Sequence, residues 1–298
     1  MDELSNGHLK KAAITDHSWQ ADLWLTGICI IWGASFPLVK IAIQDITPIL
    51  FLAVRFFLGG LLLFPFLINR GAVFTWSQVY RGGILGVFMF AGMLFQTLGL
   101  KYTTASNSGF ITGMAVVIVP FLVVIIERRL PKWPMWLGVI SAVTGLYFLT
   151  QPEVHGINRG DIYTIICAVS FSFEIVFIEI FIKENESLPI ALIMIWMTSL
   201  LSFLAMLFFE TPRMVMSWPM LASLGFVSLF CTTFGFTVQT TWQPRTTATA
   251  ASVIFTAEPV FAALFAGLLL NEHLPVNGYL GGGFILAGML IAELRRML

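Results

Sequence analysis

Three ionisable side chains stand inside long apolar stretches of this 298-residue chain. Glu258 lies about midway along its stretch, Glu174 is similarly deep, and Arg55 lies about two turns from the nearest end. A charge in hydrocarbon costs roughly 2.5–3.5 kcal/mol on insertion scales, so such residues are usually retained for a function. These three residues are therefore the first candidates for chemistry inside a membrane.

Glu258 and Glu174 are candidates for carrying protons. Pro259 follows Glu258 and lacks the amide proton that would bond the carbonyl of Phe255, so this acid lies beside a loosened helix. The alternative for Glu258 is a protonated acid that bonds neighbouring backbone and has only a structural role. Glu174 has two interpretations: it carries a proton, or it is the buried ion-pair partner of Arg55.

Arg55 and several uncharged side chains are candidates for binding a solute. A guanidinium binds carboxylate or phosphate through two parallel hydrogen bonds, so Arg55 suits an anionic group. A structural ion pair and a head group extended to the membrane surface are the alternatives. Gln96 and Gln239 either face a cavity or join helices by hydrogen bonds, and the same two interpretations apply to Asn107. Trp32 is a candidate for an aromatic cavity wall.

The elements that hold these residues are apolar helices. Hydrophobic residues make up 58% of the chain, charged residues 11%, and the mean hydropathy is +0.89; a soluble domain has about 25% charged residues. The apolar runs are continuous rather than alternating, and a spanning helix needs roughly 20 apolar residues. The sequence therefore predicts an all-α polytopic membrane protein with ten transmembrane helices. The predicted helices are 23–42, 48–68, 81–99, 104–126, 133–150, 161–182, 188–209, 217–240, 246–270 and 276–294.

The second half of the chain repeats motifs of the first half at one constant offset in numbering. The offset carries 92–96 (Gly-Met-Leu-Phe-Gln) onto 235–239 (Gly-Phe-Thr-Val-Gln), 103–105 (Thr-Thr-Ala) onto 246–248, Gly138 onto Gly281 and Gly145 onto Gly288. Each copy has five predicted helices, and an odd number gives the second copy the opposite orientation in the bilayer. We therefore expect two inverted five-helix repeats around a central cavity, an architecture common among secondary transporters. The expected divisions are a cytoplasmic tail at 1–22, a first repeat at 23–150, a linker at 151–160 and a second repeat at 161–298.

Loop charges predict the orientation of the chain. Eleven of the sixteen basic residues fall on the side of the chain termini, four fall on the other side, and Arg55 lies within a helix. Because basic residues concentrate on the cytoplasmic side of membrane proteins, both termini are expected in the cytoplasm. No secretory or organelle signal precedes the first predicted helix, which favours a bacterial cytoplasmic (inner) membrane.

Prolines predict three helix breaks, at Pro37, Pro120 and Pro259. Pro120 and Pro259 lie about one helical turn closer together than the repeat offset requires, so these two breaks are not expected to be equivalent. Two charged positions have simple structural interpretations. Lys40 is expected to extend to the membrane surface, and Glu179 is expected to pair with the lysine at position 183, one turn along the same helix.

An ordered set of short motifs resembles the EamA-type ten-span proteins of the drug/metabolite transporter superfamily, and the resemblance covers nearly the whole chain. The motifs are Trp32-Gly33-Ala34-Ser35-Phe36 in the first helix, Arg55-Phe56-Phe57 in the second, Thr-Thr-Ala at the starts of the fourth and ninth, Glu258-Pro259-Val260-Phe261 in the ninth, and Glu272-His273-Leu274-Pro275 before the last. The resemblance implies export or uptake of a solute by alternating access through a central cavity. It implies no particular substrate, because relatives handle amino acids, nucleotide sugars, cations and drugs.

The sequence thus favours a secondary transporter, with export of a small amphipathic metabolite or drug as the expected activity. The expected partners are the lipid bilayer, the solute and, where transport is coupled, protons. No cofactor or metal is expected, and no nucleic acid is expected because the net charge is zero. A monomer is expected, with a homodimer as the alternative.

A lipid flippase or a membrane scaffold fits the same composition. An intramembrane enzyme fits less well, because the four histidines lie in predicted tails and loops.

Overall fold

The computed structural model describes residues 18–69, 74–150, 158–182, 186–272 and 276–293. In these ranges the chain forms ten apolar helices and no strand longer than a single bridge. The helices are α1 Ser18–Ala42, α2 Pro48–Ile68, α3 Trp76–Leu100, α4 Ala105–Glu127, α5 Trp133–Thr150, α6 Arg159–Phe181, α7 Ser187–Phe209, α8 Trp218–Arg245, α9 Ala248–Leu270 and α10 Val276–Glu293.

The helices confirm the prediction of an all-α membrane protein with ten spans. Eight of them are long and apolar enough to cross a bilayer, and α5 and α10 are shorter apolar helices. Most of the predicted linker, residues 151–157, lies outside the described residues, as do the N-terminal tail through residue 17 and Lys183.

Two of the helices that begin earlier than predicted, α3 and α6, carry reciprocal side-chain caps in their first turns. Thr75 accepts a hydrogen bond from the backbone N–H of Gln78 (3.3 Å), and the Gln78 side chain accepts one from the backbone of Thr75 (3.1 Å). Asn158 and Asp161 form the same arrangement at the start of α6 (3.0 and 3.1 Å). Such caps satisfy amide groups that have no partner within the helix. Apolar periodicity alone did not reveal these polar first turns.

Two helices are broken at equivalent places in the two repeats. The segments are Ala105–Gly113 and Ala115–Glu127 in α4, and Ala248–Phe255 and Ala257–Leu270 in α9. The breaks fall at Met114 and Thr256, and the repeat offset carries Met114 onto Ala257, the residue next to Thr256. The expectation that these breaks are not equivalent, which rested on the positions of the prolines, is therefore wrong.

The prolines do not mark the breaks directly. Pro37 lies within α1, which is continuous, and Pro120 lies within the second segment of α4. Pro259 lies three residues after the break at Thr256, in the first turn of the second segment. An amide proton in a first turn has no helical partner, so proline loses little there.

The ends of α4 and α9 also obey the offset. Thr104 and Thr247 cap the two first segments through their hydroxyl groups (3.0 and 3.2 Å). Arg128 and Asn271 follow the two second segments with φ of 53° and 55°, the left-handed conformation that commonly ends helices. Two helices of different composition thus begin, break and end at matching positions.

The two repeats interlock rather than lie side by side. Helix α3 of the first repeat packs on α6 and α7 of the second, and α8 of the second packs on α1 and α2 of the first. Helices α1 and α9 also pack together, as do α4 and α6, and α2 of the first repeat packs on α7 of the second. We call α1, α2, α8 and α9 the first helix group and α3, α4, α6 and α7 the second helix group. The repeat offset exchanges these two groups.

The remaining helices, α5 and α10, pack against each other through glycines related by the repeat. A Cβ atom on Gly145 would lie 2.6 Å from the carbonyl oxygen of Gly281, and one on Gly288 would lie 2.8 Å from that of Gly138. No side chain fits at either point. The four glycines therefore let the two helices meet backbone to backbone, as small residues do in membrane bundles.

Candidate functional site

A pocket lies between the two helix groups, where α4 and α9 are broken, and it encloses about 680 Å³ when the space open to its surroundings is included. Helices α1, α2, α3, α4, α6, α8 and α9 contribute to its wall. The lining residues are Trp32, Ser35, Arg55, Met93, Gln96, Gly109, Thr112, Gly113, Ala115, Phe171, Glu174, Ile175, Phe236, Gln239, Ser252, Phe255, Glu258 and Pro259. Seven of the residues proposed from the sequence meet here: Trp32, Arg55, Gln96, Glu174, Gln239, Glu258 and Pro259.

Much of the lining consists of pairs of residues related by the repeat offset. The pairs are Trp32 with Ile175, Met93 with Phe236, Gln96 with Gln239, Gly109 with Ser252, Thr112 with Phe255, and Ala115 with Glu258. Equivalent residues of two inverted copies meet only near the axis that relates the copies. The pocket therefore lies on the approximate two-fold axis of the molecule, where repeat-built transporters bind their solutes.

The charged residues break this symmetry. Arg55, Glu174 and Glu258 are all part of the lining. The residues at the equivalent positions are Thr198, Ile31 and Ala115, respectively. The uncharged amides thus follow the repeat, whereas each charge belongs to one copy alone. An asymmetric set of charges can orient a bound solute in a pocket whose shape is nearly symmetric.

Arg55 is buried, with 2% of its surface exposed, yet most of its N–H donors have no hydrogen-bond partner among the described residues. Its Nε donates to Oγ1 of Thr232 at 2.8 Å, its Nη1 lies 3.8 Å from the sulfur of Met93, and its guanidinium lies over the ring of Phe56. Among the described residues it forms no ion pair, so the pairing with Glu174 is absent. A guanidinium has five N–H donors, and here one of them meets a protein oxygen.

The middle of α8 is π-helical over Val227–Phe234, and this register positions a pocket residue. The backbone N–H of Gly235 bonds the carbonyl of Phe230, five residues back, instead of that of Cys231. The carbonyl of Cys231 is thereby available, and it accepts a hydrogen bond from Nε1 of Trp32 at 3.0 Å. The π-helix therefore fixes the indole of Trp32 in the pocket wall.

Aromatic rings surround that indole. The ring centroid of Trp32 lies 5.4 Å from that of Phe236 and 5.6 Å from that of Phe255. Phe171 lines another part of the pocket. Such a wall suits a solute with an apolar or aromatic body, and it also attracts cations.

The two acids of the pocket differ in their surroundings. Glu174 is 2% exposed, its carboxyl group interacts with the side chain of Gln239, and its Oε1 has no hydrogen-bond partner among the described residues. Glu258 lies in the first turn of the second segment of α9, where the positive end of the helix dipole favours a carboxylate. Neither forms an ion pair with a described residue. Both carboxyl groups are therefore available to a proton or to a cationic group.

The two glutamines line the pocket from equivalent positions. Nε2 of Gln239 donates to the side chain of Gln243 at 3.0 Å, and Gln243 in turn donates to the carbonyl of Ile175 at 2.7 Å. The side chain of Gln239 also interacts with the carboxyl group of Glu174, and its oxygen has no hydrogen-bond partner among the described residues by distance and angle. Gln239 thus joins α8 to α6 and also offers an acceptor, so the two alternatives from the sequence coexist. Gln96 forms no hydrogen bond with a described residue.

Asn107 lies outside the pocket lining, unlike the position expected from the sequence. Its Nδ2 donates to Asp161 at 2.7 Å and to the hydroxyl of Thr103 at 2.9 Å. These bonds join the start of α4 to the start of α6. The reason is that Asn107 lies in the first turn of α4, and the lining of that helix begins at Gly109.

Lys40 and Glu179 also have partners that sequence spacing did not reveal. Lys40 forms an ion pair with Glu272 at 3.3 Å instead of extending freely to the surface. Glu179 pairs with Arg129 of another helix end at 3.3 Å, and its expected partner Lys183 lies outside the described residues. Both partners come from distant parts of the chain, which a local pattern does not show.

Several lining residues were not identified from the sequence, among them Ser35, Met93, Phe171, Phe236, Ser252 and Phe255. For one pair of lining residues, the repeat in the sequence was enough to predict a position in the pocket. Met93 and Phe236 are equivalent, and each precedes its glutamine by three residues, which places it on the same helix face.

A metal site does not arise from the described residues, because no three His, Cys, Asp or Glu side chains lie close enough together to hold an ion. The histidines at positions 8, 17, 155 and 273 lie outside the described ranges.

Comparison with known proteins gives two matches to one family within the chain. The model of the EamA-like transporter family matches residues 19–151 and again residues 158–294. An uncharacterised transporter of Archaeoglobus fulgidus is 34% identical over 278 residues, which cover 92% of this chain and 86% of the relative. The uncharacterised transporter YoaV of Bacillus subtilis is 23% identical, over 90% of this chain and 94% of its own.

Two further similarities are more distant. An S-adenosylmethionine uptake transporter of Rickettsia prowazekii is 23% identical over 160 residues, 53% of this chain and 54% of its own. A solved crystal structure superposes with a TM-score of 0.76 at 18% sequence identity, over 93% of this chain and 98% of that chain. The latter likeness shows the fold.

Proposed function

Because the chain belongs to the EamA-like transporter family, we propose that it is a secondary transporter that exports a small amphipathic solute by alternating access. The observation that carries this proposal is the pocket on the two-fold axis, with a buried cation (Arg55), a buried acid (Glu174) and a half-buried acid (Glu258) that lack ion-pair partners among the described residues. Buried charges without partners are costly, so they are retained where a mobile ligand completes them. We place the protein in a bacterial cytoplasmic membrane with both termini in the cytoplasm.

The two helix groups are the units whose relative movement would expose the pocket alternately to each side. The repeat offset carries the helices of one group onto those of the other, and the pocket lies between the two groups. The repeats at 23–150 and 161–298 do not move as separate halves in this proposal, because each contributes helices to both groups. Rocking of two such groups about a midplane site is a common form of alternating access.

The charges of the pocket favour a solute that carries both an anionic and a cationic group on an apolar body. Arg55 offers its unpaired donors to a carboxylate or phosphate. Glu174 and Glu258 offer carboxylates to an amine or to protons, and the rings near Trp32 cover the apolar part. Gln96 and the free oxygen of Gln239 supply further hydrogen bonds. In this proposal the two acids also couple transport to protons.

The decisive experiment is reconstitution of the purified protein in liposomes. Candidate solutes are first ranked by the increase in melting temperature that they produce in detergent, across zwitterions, simple amines and simple carboxylates. S-adenosylmethionine belongs in this set because one relative is named for its uptake. We expect saturable stabilisation by a zwitterion, followed by counterflow of the same compound in liposomes. Stabilisation without any flux would contradict transport, and a lack of saturable stabilisation would favour a flippase or a scaffold.

Direction is tested with the same liposomes. A pH gradient of either sign is imposed, and accumulation of the labelled solute is followed. Export coupled to protons predicts that the solute moves against the proton flow. Movement in the same direction as protons would identify an uptake system with the same pocket.

A further inference from the structure

Two polar clusters lie at opposite ends of the pocket. The first cluster, which we call the first clasp, consists of Lys40, Ser106, Glu272 and the neighbouring backbone. Glu272 pairs with Lys40 (3.3 Å) and accepts hydrogen bonds from the hydroxyl of Ser106 (3.0 Å) and from the backbone N–H groups of Ala105 and Ser106 (3.4 Å each). Lys40 also donates to the carbonyl of Thr103 (3.2 Å). A residue that follows α9 thus covers the beginning of α4.

The second cluster, the second clasp, consists of Glu127, Arg129, Glu179 and the backbone of Ala248. Glu179 pairs with Arg129 (3.3 Å) and accepts a hydrogen bond from the backbone N–H of Ala248. Arg129 is also paired with Glu127 at 2.7 Å. A residue of α6 thus covers the beginning of α9.

The clasps lie on opposite faces of the membrane. Helix α4 runs from Ala105 at the first clasp to Glu127 at the second, and its 23 residues span about 35 Å. Each clasp lies about one turn beyond the pocket lining. Gly109 is the first lining residue of α4, and Ser252 is the first of α9.

The repeat relates the two clasps but exchanges their charges. Ala105 and Ala248, the residues that begin the covered helices, are equivalent. Glu272 and Arg129 are also equivalent, yet one is an anion and the other a cation. In the first clasp the end of α9 supplies the acid, whereas in the second clasp helix α6 supplies it. In both clasps an acid covers the first turn of a broken helix. The acid and its basic partner, however, come from positions that the repeat does not relate as acid to acid or base to base.

Each clasp joins the two helix groups. Lys40 and Glu272 belong to or follow helices of the first group, and they hold the start of α4, which belongs to the second. Glu179 and Arg129 belong to or follow helices of the second group, and they hold the start of α9, which belongs to the first.

Other contacts also join the groups: α2 packs on α7, and Glu210, which follows α7, accepts hydrogen bonds from the backbone N–H groups of Ile49 and Leu50 at the start of α2. A clasp must nevertheless open before the groups can separate at the start of the helix that it covers.

We propose that Glu272 and Glu179 are the gate residues of the two faces, each positioned by its basic partner, and that their clasps open alternately. The proposal rests on the proposed alternating access. It assigns roles to residues outside the pocket that no solute touches. In the proposed orientation, the first clasp closes the outer face and the second closes the cytoplasmic face.

The test measures access to the pocket from each side without any solute. Ser35→Cys places a thiol in the pocket wall, and a membrane-impermeant maleimide is added to intact cells or to inverted vesicles. The unmodified chain is the labelling control, because its cysteines at 29, 167 and 231 are buried. The gate variants are Glu272→Ala and Glu179→Ala. Lys101→Ala and Lys132→Ala are matched controls that remove an exposed charge near the first and the second clasp, respectively.

We expect Glu272→Ala to raise the labelling rate about fivefold from the outer face only, and Glu179→Ala to do so from the cytoplasmic face only. Lys40→Gln leaves the cap but removes the ion pair, so its effect should be smaller, and Lys40→Arg should restore the original rate. A rise from both faces in either variant would mean that the clasps only stabilise the fold, and unchanged rates would also overturn the proposal. Since labelling needs no solute, a failed gate and a failed transport assay are separate outcomes.

Discussion

At the scale of single residues, the pocket is defined by charges that the protein itself does not neutralise. Arg55 is held by Thr232 and by the ring of Phe56, which fix its position but leave its remaining donors for a ligand. Glu174 and Glu258 are similarly placed without ion-pair partners among the described residues. Each charge therefore has a separable role that substitution can test.

Arg55→Lys should weaken binding of the anionic solute group about 10- to 100-fold, because lysine keeps the charge but loses the planar pair of donors. Thr232→Val is the matched control: it removes the contact that positions Arg55 and should weaken binding only a few-fold. Solute-induced stabilisation, titrated in detergent, gives both affinities. Equal affinities for the original protein and Arg55→Lys would exclude a direct contact.

Glu258→Gln should abolish accumulation driven by a pH gradient while leaving counterflow at equal pH in place, because glutamine cannot release a proton. Counterflow by the same preparation shows that the variant is folded and binds its solute. The double variant Ala115→Glu with Glu258→Ala moves the acid to the equivalent position of the first repeat. If Glu258→Gln still accumulates solute in response to a pH gradient, Glu258 does not couple transport to protons.

At the scale of elements, packing of paired helices depends on positions where no side chain fits. On Gly288, a Cβ would lie 2.8 Å from the carbonyl oxygen of Gly138, which is backbone and cannot rotate away. Gly283, on the same helix, has nothing within 4 Å of such a Cβ. The two glycines therefore separate the effect of close approach from that of helix propensity.

Gly288→Ala should lower the free energy of unfolding by about 1–3 kcal/mol, as overpacking does in well-packed interiors. Gly283→Ala should be neutral or stabilising by up to about 1 kcal/mol, because alanine favours a helix. Unfolding in mixed detergent, followed by circular dichroism, measures both. A loss of stability in Gly283→Ala as large as that in Gly288→Ala would show that close contact of α5 and α10 is not the cause.

At the scale of the whole molecule, the arrangement of basic residues predicts that both termini face the cytoplasm. A fluorescent protein fused after residue 298 should therefore fold and fluoresce, whereas alkaline phosphatase at the same site should be inactive. The reverse pattern should hold for fusions in the connection between α1 and α2. Active phosphatase at the C-terminus would invert the assignment of the two clasps to membrane faces and leave their alternate opening unchanged.

Tertiary structure also decided how the two copies assemble. The sequence suggested two five-helix halves, but α3 and α8 each pack on helices of the other copy. Hydropathy and repeat spacing describe segments one at a time, so they do not determine which segments become neighbours. The same limit explains why Asn107 was expected in the pocket and why the partners of Lys40 and Glu179 were missed.

Composition and residue order along the chain were sufficient to predict the helical membrane class, the ten spans, the repeat and the family. The sequence also identified Arg55, Glu174 and Glu258, since a charge in an apolar stretch is visible without a structure. Only the tertiary structure brought these three charges into one pocket and placed the breaks at Met114 and Thr256. The physical reason is that a contact between side chains far apart in the chain depends on how helices cross, which local patterns do not encode.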